Sequence, residues 1–335
     1  MKNNTITLHT HHKNDLIKKT VQAAVAIVVF TLANPFHAES AMKKEVSFKS
    51  QNQTLHGDLY LPDNYDESKQ LPGVIVSGSW TSVKEQMSGA YARKLADQGY
   101  AVLAFDFRGW GQSAEDTPAA LKFIEDPVAK TADILAAADF LANRREVDGK
   151  KLATLGICAS AGYAIDAAHR SSLITATAAI APWLHDREIV DQVYGESVPQ
   201  LLQAAAEAKT SKSPVLLEAA SNTNKDAVMY QAAYYTDPNR GAVPEYDNQF
   251  NVRTWESWLN YDAIQTASRI QDPVLLVHSE AAAIPQGAKK FASAAGRNAR
   301  LIMLDNITQF DFYDQLQAME TATIEVDKHF QSAWK

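Results

Sequence analysis

The sequence predicts an α/β fold in which a mostly parallel sheet is covered by helices on both faces. Two observations carry this reading. Short runs that are apolar throughout, such as "PGVIVSG" (Pro72–Gly78) and "DPVLLVHS" (Asp272–Ser279), alternate along the chain with longer segments of helical spacing. A strand that is apolar on both faces needs cover on both faces, which crossover helices supply. The 335 residues, 46% hydrophobic and 21% charged, suit a globular chain with a large core.

Each element has a local reason. "EVSFKSQNQTLHGDLYLP" from Glu45 alternates and is rich in β-branched and aromatic residues, which predicts an antiparallel opening hairpin. Pro72–Gly78 is a buried strand closed by Gly78. "SGAYARKLADQGY" has helical spacing and stops at Gly99, before the strand "AVLAFDFRG". Residues 127–143 form an Ala-rich helix that opens on Pro127, a favoured first-turn residue. "KLATLGI" is a strand, "SAGYAIDAAHR" a helix and "ITATAAIAPW" a strand. The strand at Asp272–Ser279, the helix "PQGAKKFASAA", the strand "ARLIMLD" and a helix over 314–333 complete the chain.

One region breaks the alternation. Asp186–Asp262 is rich in Ala, Gln, Tyr and Trp and predicts a helical cap inserted between two core strands. In open α/β sheets such additions sit over the carboxyl ends of the strands, where ligands bind. Tyr230, Tyr234, Tyr235, Trp255 and Trp258 either line a substrate pocket or pack the insertion on the core.

Residues 1–41 read separately from the domain at 42–335. Lys13, Lys18 and Lys19 precede an uncharged apolar run, Val21–Ala33, and then "HAESA", the order of a secretory signal peptide. An uncleaved anchor is the alternative, although the run falls short of the roughly 20 residues of a membrane span. The expected location is therefore periplasmic or secreted. The net charge of −7 and the lack of Lys or Arg blocks argue against nucleic acid as a partner, and the mature domain should meet a membrane only if the leader is retained. No HExxH and no Cys/His cluster points to a metal, and no GxGxxG or GxxxxGK[ST] points to a nucleotide, so no cofactor is expected.

The chemistry centres on "GICASAG" (Gly156–Gly162). A nucleophile elbow needs a strand, a sharp turn carrying the nucleophile and a helix, with small residues two before and two after. Two registers fit, Gly156-x-Cys158-x-Ser160 and Cys158-x-Ser160-x-Gly162. The apolar run continues to Ile157, so the turn falls at Cys158, the only cysteine in the chain. Ser160 is the alternative nucleophile, or a small residue that caps or packs the helix start. A helix N-terminus favours a thiolate, and the Ala159 amide with one from Ser79 or Trp80 would form an oxyanion hole.

These residues carry a resemblance. "VDGKKLATLGICASAG", "FDFRGWGQS" (Phe105–Ser113) and "IVSGSWTSVKEQ" resemble the α/β-hydrolase superfamily, and more closely its dienelactone-hydrolase-like branch, which carries Cys where most relatives carry Ser. The resemblance spans essentially the whole mature chain. It implies the α/β-hydrolase fold and, for Cys158, acyl transfer. Two departures stand out. Where relatives read "HGxxDxxVP" this chain has "HSEAAAIP", which leaves Glu280 as the only carboxylate for the acid's place. Where relatives carry the triad His, "NITQFDFYD" places Gln309, an amide that cannot act as a general base.

His185 and His278, each at the end of a core strand, are the candidates for a replacement base; His56, His169 and His329 read as structural or surface residues. Arg108 could lower the thiol's pKa or brace its loop. The resemblance also implies that a Glu engages the resting thiol, for which Glu85 is the candidate; Asp106 reads as structural. The expected activity is cleavage of a small ester, thioester or lactone through an acyl-Cys158 intermediate. The alternatives are a catalytically degenerate member that binds a hydrophobic ligand, and an acyltransferase.

Overall fold

The computed structural model describes residues 41–335, so the leader expected over 1–41 lies outside the described residues except for Ala41. The chain opens with β1 (Met42–Ser50) and β2 (Gln53–Leu61), antiparallel as expected. The alternating part follows: β3 (Leu71–Ser77), α1 (Met87–Asp97), β4 (Ala101–Phe105), α2 (Pro127–Ala142), β5 (Val147–Ile157), α3 (Ser160–Arg170) and β6 (Ile174–Ile180).

The insertion then contributes α4 (Arg187–Tyr194), α5 (Val198–Thr210), β7 (Leu216–Glu218), β8 (Ala220–Ser221), β9 (Met229–Tyr230), α6 (Ala233–Thr236), β10 (Gln249–Asn251) and α7 (Thr254–Leu259). The core resumes with β11 (Val274–Ser279), α8 (Pro285–Ala295), β12 (Ala299–Leu304), α9 (Asp311–Asp314) and α10 (Leu316–Ala333).

Eight strands form one sheet in the order β1-β2-β4-β3-β5-β6-β11-β12. β1, β2 and β4 pair antiparallel; every pairing from β4 across to β12 is parallel. The chain leaves β3 to one side through β4 and returns to its other side as β5, so the strand order reverses at β3. A crevice opens at such a switch point, outside the carboxyl ends of the strands.

The central strands are buried as their composition requires: Val74, Ile75 and Val76 of β3, and Leu152, Leu155 and Ile157 of β5, are fully buried. Each stabilises the fold by about 1.5–3 kcal/mol relative to exposure. The helix ends follow local chemistry. Asp126 caps α2 by accepting from the Val128 and Ala129 amides (2.9 and 3.2 Å), with Pro127 in the first turn, and Gly99 takes φ +98° just past α1.

The insertion departs from the helical expectation. Besides four helices it holds two small ribbons, β7 against β10 (antiparallel) and β8 against β9 (parallel). Pro214 interrupts helical structure after α5. Asn248, at φ +50°, then uses its side-chain amide to bond both the N–H and the C=O of Ala220 (2.7 and 3.0 Å), which holds the ribbons together. Among the described residues no helix is long and apolar enough to cross a membrane.

Candidate active site

Five loops converge at the carboxyl edge of the sheet, after β3, β5, β6, β11 and β12. Each carries one non-glycine residue in the left-handed region: Thr81 (φ +61°), Cys158 (+58°), Ala181 (+45°), Ile284 (+43°) and Asn306 (+57°). Such a conformation costs about 1–3 kcal/mol per residue and persists only where the surroundings enforce it. Its recurrence at one edge marks where backbone geometry has been set for something other than stability.

Cys158 is the sharp turn between β5 and α3. Its amide donates to Ile180 O (3.0 Å), and its carbonyl accepts from the amides of Ala161 (3.2 Å) and Trp183 (2.9 Å), which fixes the turn against β6. Gly156 is needed behind it. A Cβ there would stand 2.6 Å from both Ala161 Cα and Ser160 O, so only a glycine lets the helix start fold back on the strand.

Ser160 is fully buried in the turn, donating to Ser77 O (2.8 Å) or Ile157 O (3.1 Å) and accepting from the Ile157 amide (3.0 Å). Its hydroxyl is built into the elbow and faces strand carbonyls, whereas Cys158 occupies the elbow's apex.

Three donors meet the Cys158 sulfur: the hydroxyl of Tyr313 and the backbone N–H groups of Ala159 and Trp80. Trp80, not Ser79, supplies the amide from the loop after β3. The Ser79 hydroxyl bonds Tyr235 instead, and the Ser79 carbonyl accepts from the Ser82 amide (3.2 Å). Burial outweighs these donors and pushes the thiol up to about 11, so it is protonated near neutral pH. Glu125 adds a smaller upward push. That carboxylate is itself buried and paired with Lys130 (2.8 Å to both oxygens), and it accepts from Tyr163 (3.0 Å).

Gln309 lies one turn before Tyr313. Its Nε2 donates to the Tyr313 hydroxyl (2.9 Å) and to Ala181 O (2.9 Å), while its Oε1 accepts from the Ala283 amide (3.1 Å). It thus ties the loops after β6 and β11 to the residue that touches the sulfur. Hydrogen-bond donation runs from Gln309 to Tyr313 to Cys158, the reverse of a base drawing a proton away. Burial holds the Tyr313 phenol well above its ordinary range, which keeps it a donor.

The other residues singled out from the sequence lie elsewhere. His185 accepts at Nδ1 from the Trp183 indole (3.1 Å), so its Nε2–H donates to Trp258 O (3.0 Å). Both nitrogens are occupied, and burial pulls its pKa down to about 4. His278 accepts at Nδ1 from the Ser279 amide (2.9 Å), its ring lies against the Ala283 and Pro182 carbonyls, and burial lowers it likewise to about 4.

Glu280 points outward into an ion pair with Lys289 (2.5 Å), its side chain two-thirds exposed. Glu85 pairs with Lys84 (2.5 Å), which also contacts Asp106 (3.2 Å). Arg108 is held by Asp133 (2.6 Å), Ser50 (3.0 Å) and Gln51 (2.9 Å), away from the thiol. It braces its loop, the second of the two parts weighed for it. Tyr313 is the residue that sequence reasoning missed. No local signal marks it, since α9 is only four residues long and Gln309 precedes it in a turn.

The insertion roofs the site with aromatic rings. Trp80 packs against Phe250, Trp255 and Trp258 with ring centroids 5.1–5.9 Å apart. The Trp258 indole donates to the Tyr194 hydroxyl (2.9 Å). Of the five aromatics named from the sequence, Trp255 and Trp258 therefore join this cluster, Tyr235 reaches the loop after β3 through Ser79, and Tyr234 packs on Tyr313 (5.1 Å). Tyr230 lies in the β8–β9 ribbon.

Comparison with known proteins bears on the family and the fold. The sequence model of the dienelactone hydrolase family matches residues 55–237. The uncharacterized protein YcjY of Escherichia coli K12 is 25% identical over 296 residues, 82% of this chain and 93% of that protein. The uncharacterized protein PA2218 of Pseudomonas aeruginosa is 27% identical over 281 residues, 78% of this chain and 73% of that protein. The crystal structure of PA2218 superposes with a TM-score of 0.74 at 24% identity, covering 92% of this chain and 99% of that one. The α/β-hydrolase GrgF from a Penicillium species gives 0.71 at 18% identity, covering 87% and 99%.

Proposed function

The chain belongs to the dienelactone hydrolase family of α/β-hydrolases, enzymes that act on ester bonds, and from that premise we propose that it cleaves a small ester, thioester or lactone by acyl transfer to Cys158. The observation that carries this reading is the sulfur at the apex of a left-handed turn with the Ala159 and Trp80 amides both aimed at it. Those donors suit the oxyanion of a tetrahedral intermediate, where losing one typically costs about 2.7–4 kcal/mol.

The small thiolate fraction, its proton released to solvent water, attacks the acyl carbon, and the carbonyl oxygen takes the negative charge in the Trp80–Ala159 hole. Collapse breaks the bond to the leaving oxygen and gives a thioester on Cys158. Tyr313, freed from the sulfur, hands its proton to the leaving alkoxide and recovers one from water. Water, or another acceptor, then cleaves the thioester. With Gln309 in place of a base, this second half is the slow one.

Transfer to an acceptor other than water is therefore a second reading, favoured by the same Gln309 observation. A binding protein without turnover is the third. The leader features of residues 1–41 support export as part of the proposal.

The test is turnover of a p-nitrophenyl acyl-ester series by wild type, Cys158→Ala and Ser160→Ala. The proposal expects wild-type activity that Cys158→Ala abolishes. Activity that survives in Cys158→Ala contradicts it. An inert wild type that still binds the esters moves the assignment to the binding reading.

A further inference from the structure

Trp80, the donor from the loop after β3, is flanked by two residues whose side chains are both held by the insertion. The hydroxyl of Ser79 hydrogen-bonds that of Tyr235, and the Thr81 Oγ1 hydrogen-bonds the Tyr246 hydroxyl at 2.9 Å. The two tyrosines stack on each other, ring centroids 5.4 Å apart and 30° between planes. Gln86, at the far end of the loop, donates to Gly241 O at 2.6 Å in the same stretch of the insertion.

We propose that the stacked pair Tyr235–Tyr246 is the clamp that sets the Trp80 amide, so that the insertion, and not the core alone, assembles the oxyanion hole. The inference rests on Trp80 being an oxyanion donor in the reading above.

Strain at Thr81 is what the clamp holds in place. Thr81 is fully buried and sits at φ +61°, a conformation a β-branched residue adopts only under constraint. A relaxed Thr81 would turn the Trp80–Thr81 peptide and drag Trp80 with it, which would shift the preceding Ser79–Trp80 peptide and carry its N–H, the one aimed at the sulfur, out of line. Two bonds oppose this. One is the Thr81 amide to Glu125 Oε2 (3.4 Å), long and weak; the other is Tyr246 on Oγ1. Glu125 is in turn fixed by the insertion, since its amide donates to Thr254 Oγ1 (2.9 Å) and its carbonyl accepts from Ser257 (2.9 Å). The direct restraint, Tyr246, thus comes from the insertion, and the weaker one comes through Glu125, whose backbone the insertion holds and whose carboxylate Lys130 and Tyr163 of the core also hold. Tyr235 and Tyr246 are positioning residues: they act on the reacting atoms through Trp80.

The test uses the whole protein, Tyr246→Phe, Tyr235→Phe, and each of these combined with Thr81→Gly. Phenylalanine keeps the stack and removes only the clamp's hydroxyl. Glycine takes φ +61° without strain, so it should need no clamp. Two readouts serve: the rate at which iodoacetamide alkylates Cys158 at fixed pH, which reports the donors on the sulfur whether or not the protein turns over, and ester kinetics.

Each Tyr→Phe variant is expected to slow alkylation about tenfold, in line with losing a hydrogen bond to a charged group. Each should lower kcat by a comparable factor with KM within about twofold. In the Thr81→Gly background Tyr246→Phe should have no further effect. Unchanged alkylation in both Tyr→Phe variants overturns the clamp. An equal Tyr246→Phe loss with and without Thr81→Gly overturns the strain argument. If wild type cleaves no ester, alkylation alone decides the clamp, and the failure belongs to the functional reading.

Discussion

The Tyr313 hydroxyl donates to the sulfur of Cys158, and Gln309, in the turn that leads into α9, donates to that hydroxyl at 2.9 Å. This places a phenol where a base would have to meet the nucleophile. The amide behind the phenol anchors two neighbouring loops and cannot accept a proton. The consequence is a thiol that three donors face but burial keeps protonated near neutral pH, with a phenol and an amide where a proton acceptor would stand.

Tyr313→Phe removes one of three donors to the sulfur. Alkylation of Cys158 at fixed pH should then slow about tenfold, the lower end for a hydrogen bond to a charged group. Gln309→His alone should change turnover little, because the Tyr313 hydroxyl stands between it and the sulfur. Gln309→His with Tyr313→Phe lets an imidazole approach, and a general base typically contributes about 10²–10⁴-fold. Steady-state kinetics of the four proteins check this. A large gain from Gln309→His alone would show that Tyr313 does not screen the sulfur.

The pH profile follows from the buried thiol. With its pKa raised to about 11, the thiolate is a fraction of about 10⁻⁴ at pH 7 and grows tenfold per unit. Both alkylation and kcat/KM should therefore climb about tenfold per pH unit from 7 to 10. A plateau reached by pH 8 would mean an activated thiol and a charge partner acting in solution.

His185 and His278 make the fold acid-sensitive. Both sit near pKa 4 in the folded protein against an unfolded value of 6.5, because burial disfavours their charged forms. A depressed pKa of this kind contributes stability that is present above 6.5 and is lost as pH falls towards 4. Between pH 7.5 and 5 the loss is about 2 kcal/mol for each. Urea unfolding at the two pH values measures it, and His278→Gln should remove its share. A profile that is flat over this range contradicts the buried, neutral assignment.

Gly156→Ala should strike the elbow. The added Cβ would lie 2.6 Å from backbone atoms of Ala161 and Ser160, which cannot yield as a flexible side chain can. Overpacking of this kind costs about 1–3 kcal/mol. Thermal unfolding should show the loss, and ester turnover should fall with it because Cys158 is displaced. Full activity at wild-type stability would mean that the turn is less tightly packed than its geometry indicates.

The elbow was readable because its signals are local: the apolar run ends at Ile157, the small Gly156 is in place, and the helix begins at Ser160. The sheet was readable for the same reason, each buried strand declaring itself by continuous apolar residues. What surrounds the sulfur was not. The registers of β3, β5 and β12 bring Trp80 and Tyr313 to Cys158, and no short-range pattern encodes that meeting. Charge in the sequence did not decide the site either, since Arg108 braces its loop on Asp133, and Glu85 and Glu280 each pair with a lysine. The helical reading of the insertion missed its ribbons, where Asn248 replaces helical bonds with its own amide.

The most direct test of the account is mass spectrometry of wild type quenched during turnover of a p-nitrophenyl acyl ester. The account predicts one acyl group on the peptide bearing Cys158, accumulating because hydrolysis of the thioester lacks a base, and absent from Cys158→Ala. An acyl group on Ser160, or turnover with no covalent acyl-protein at any time, would contradict it.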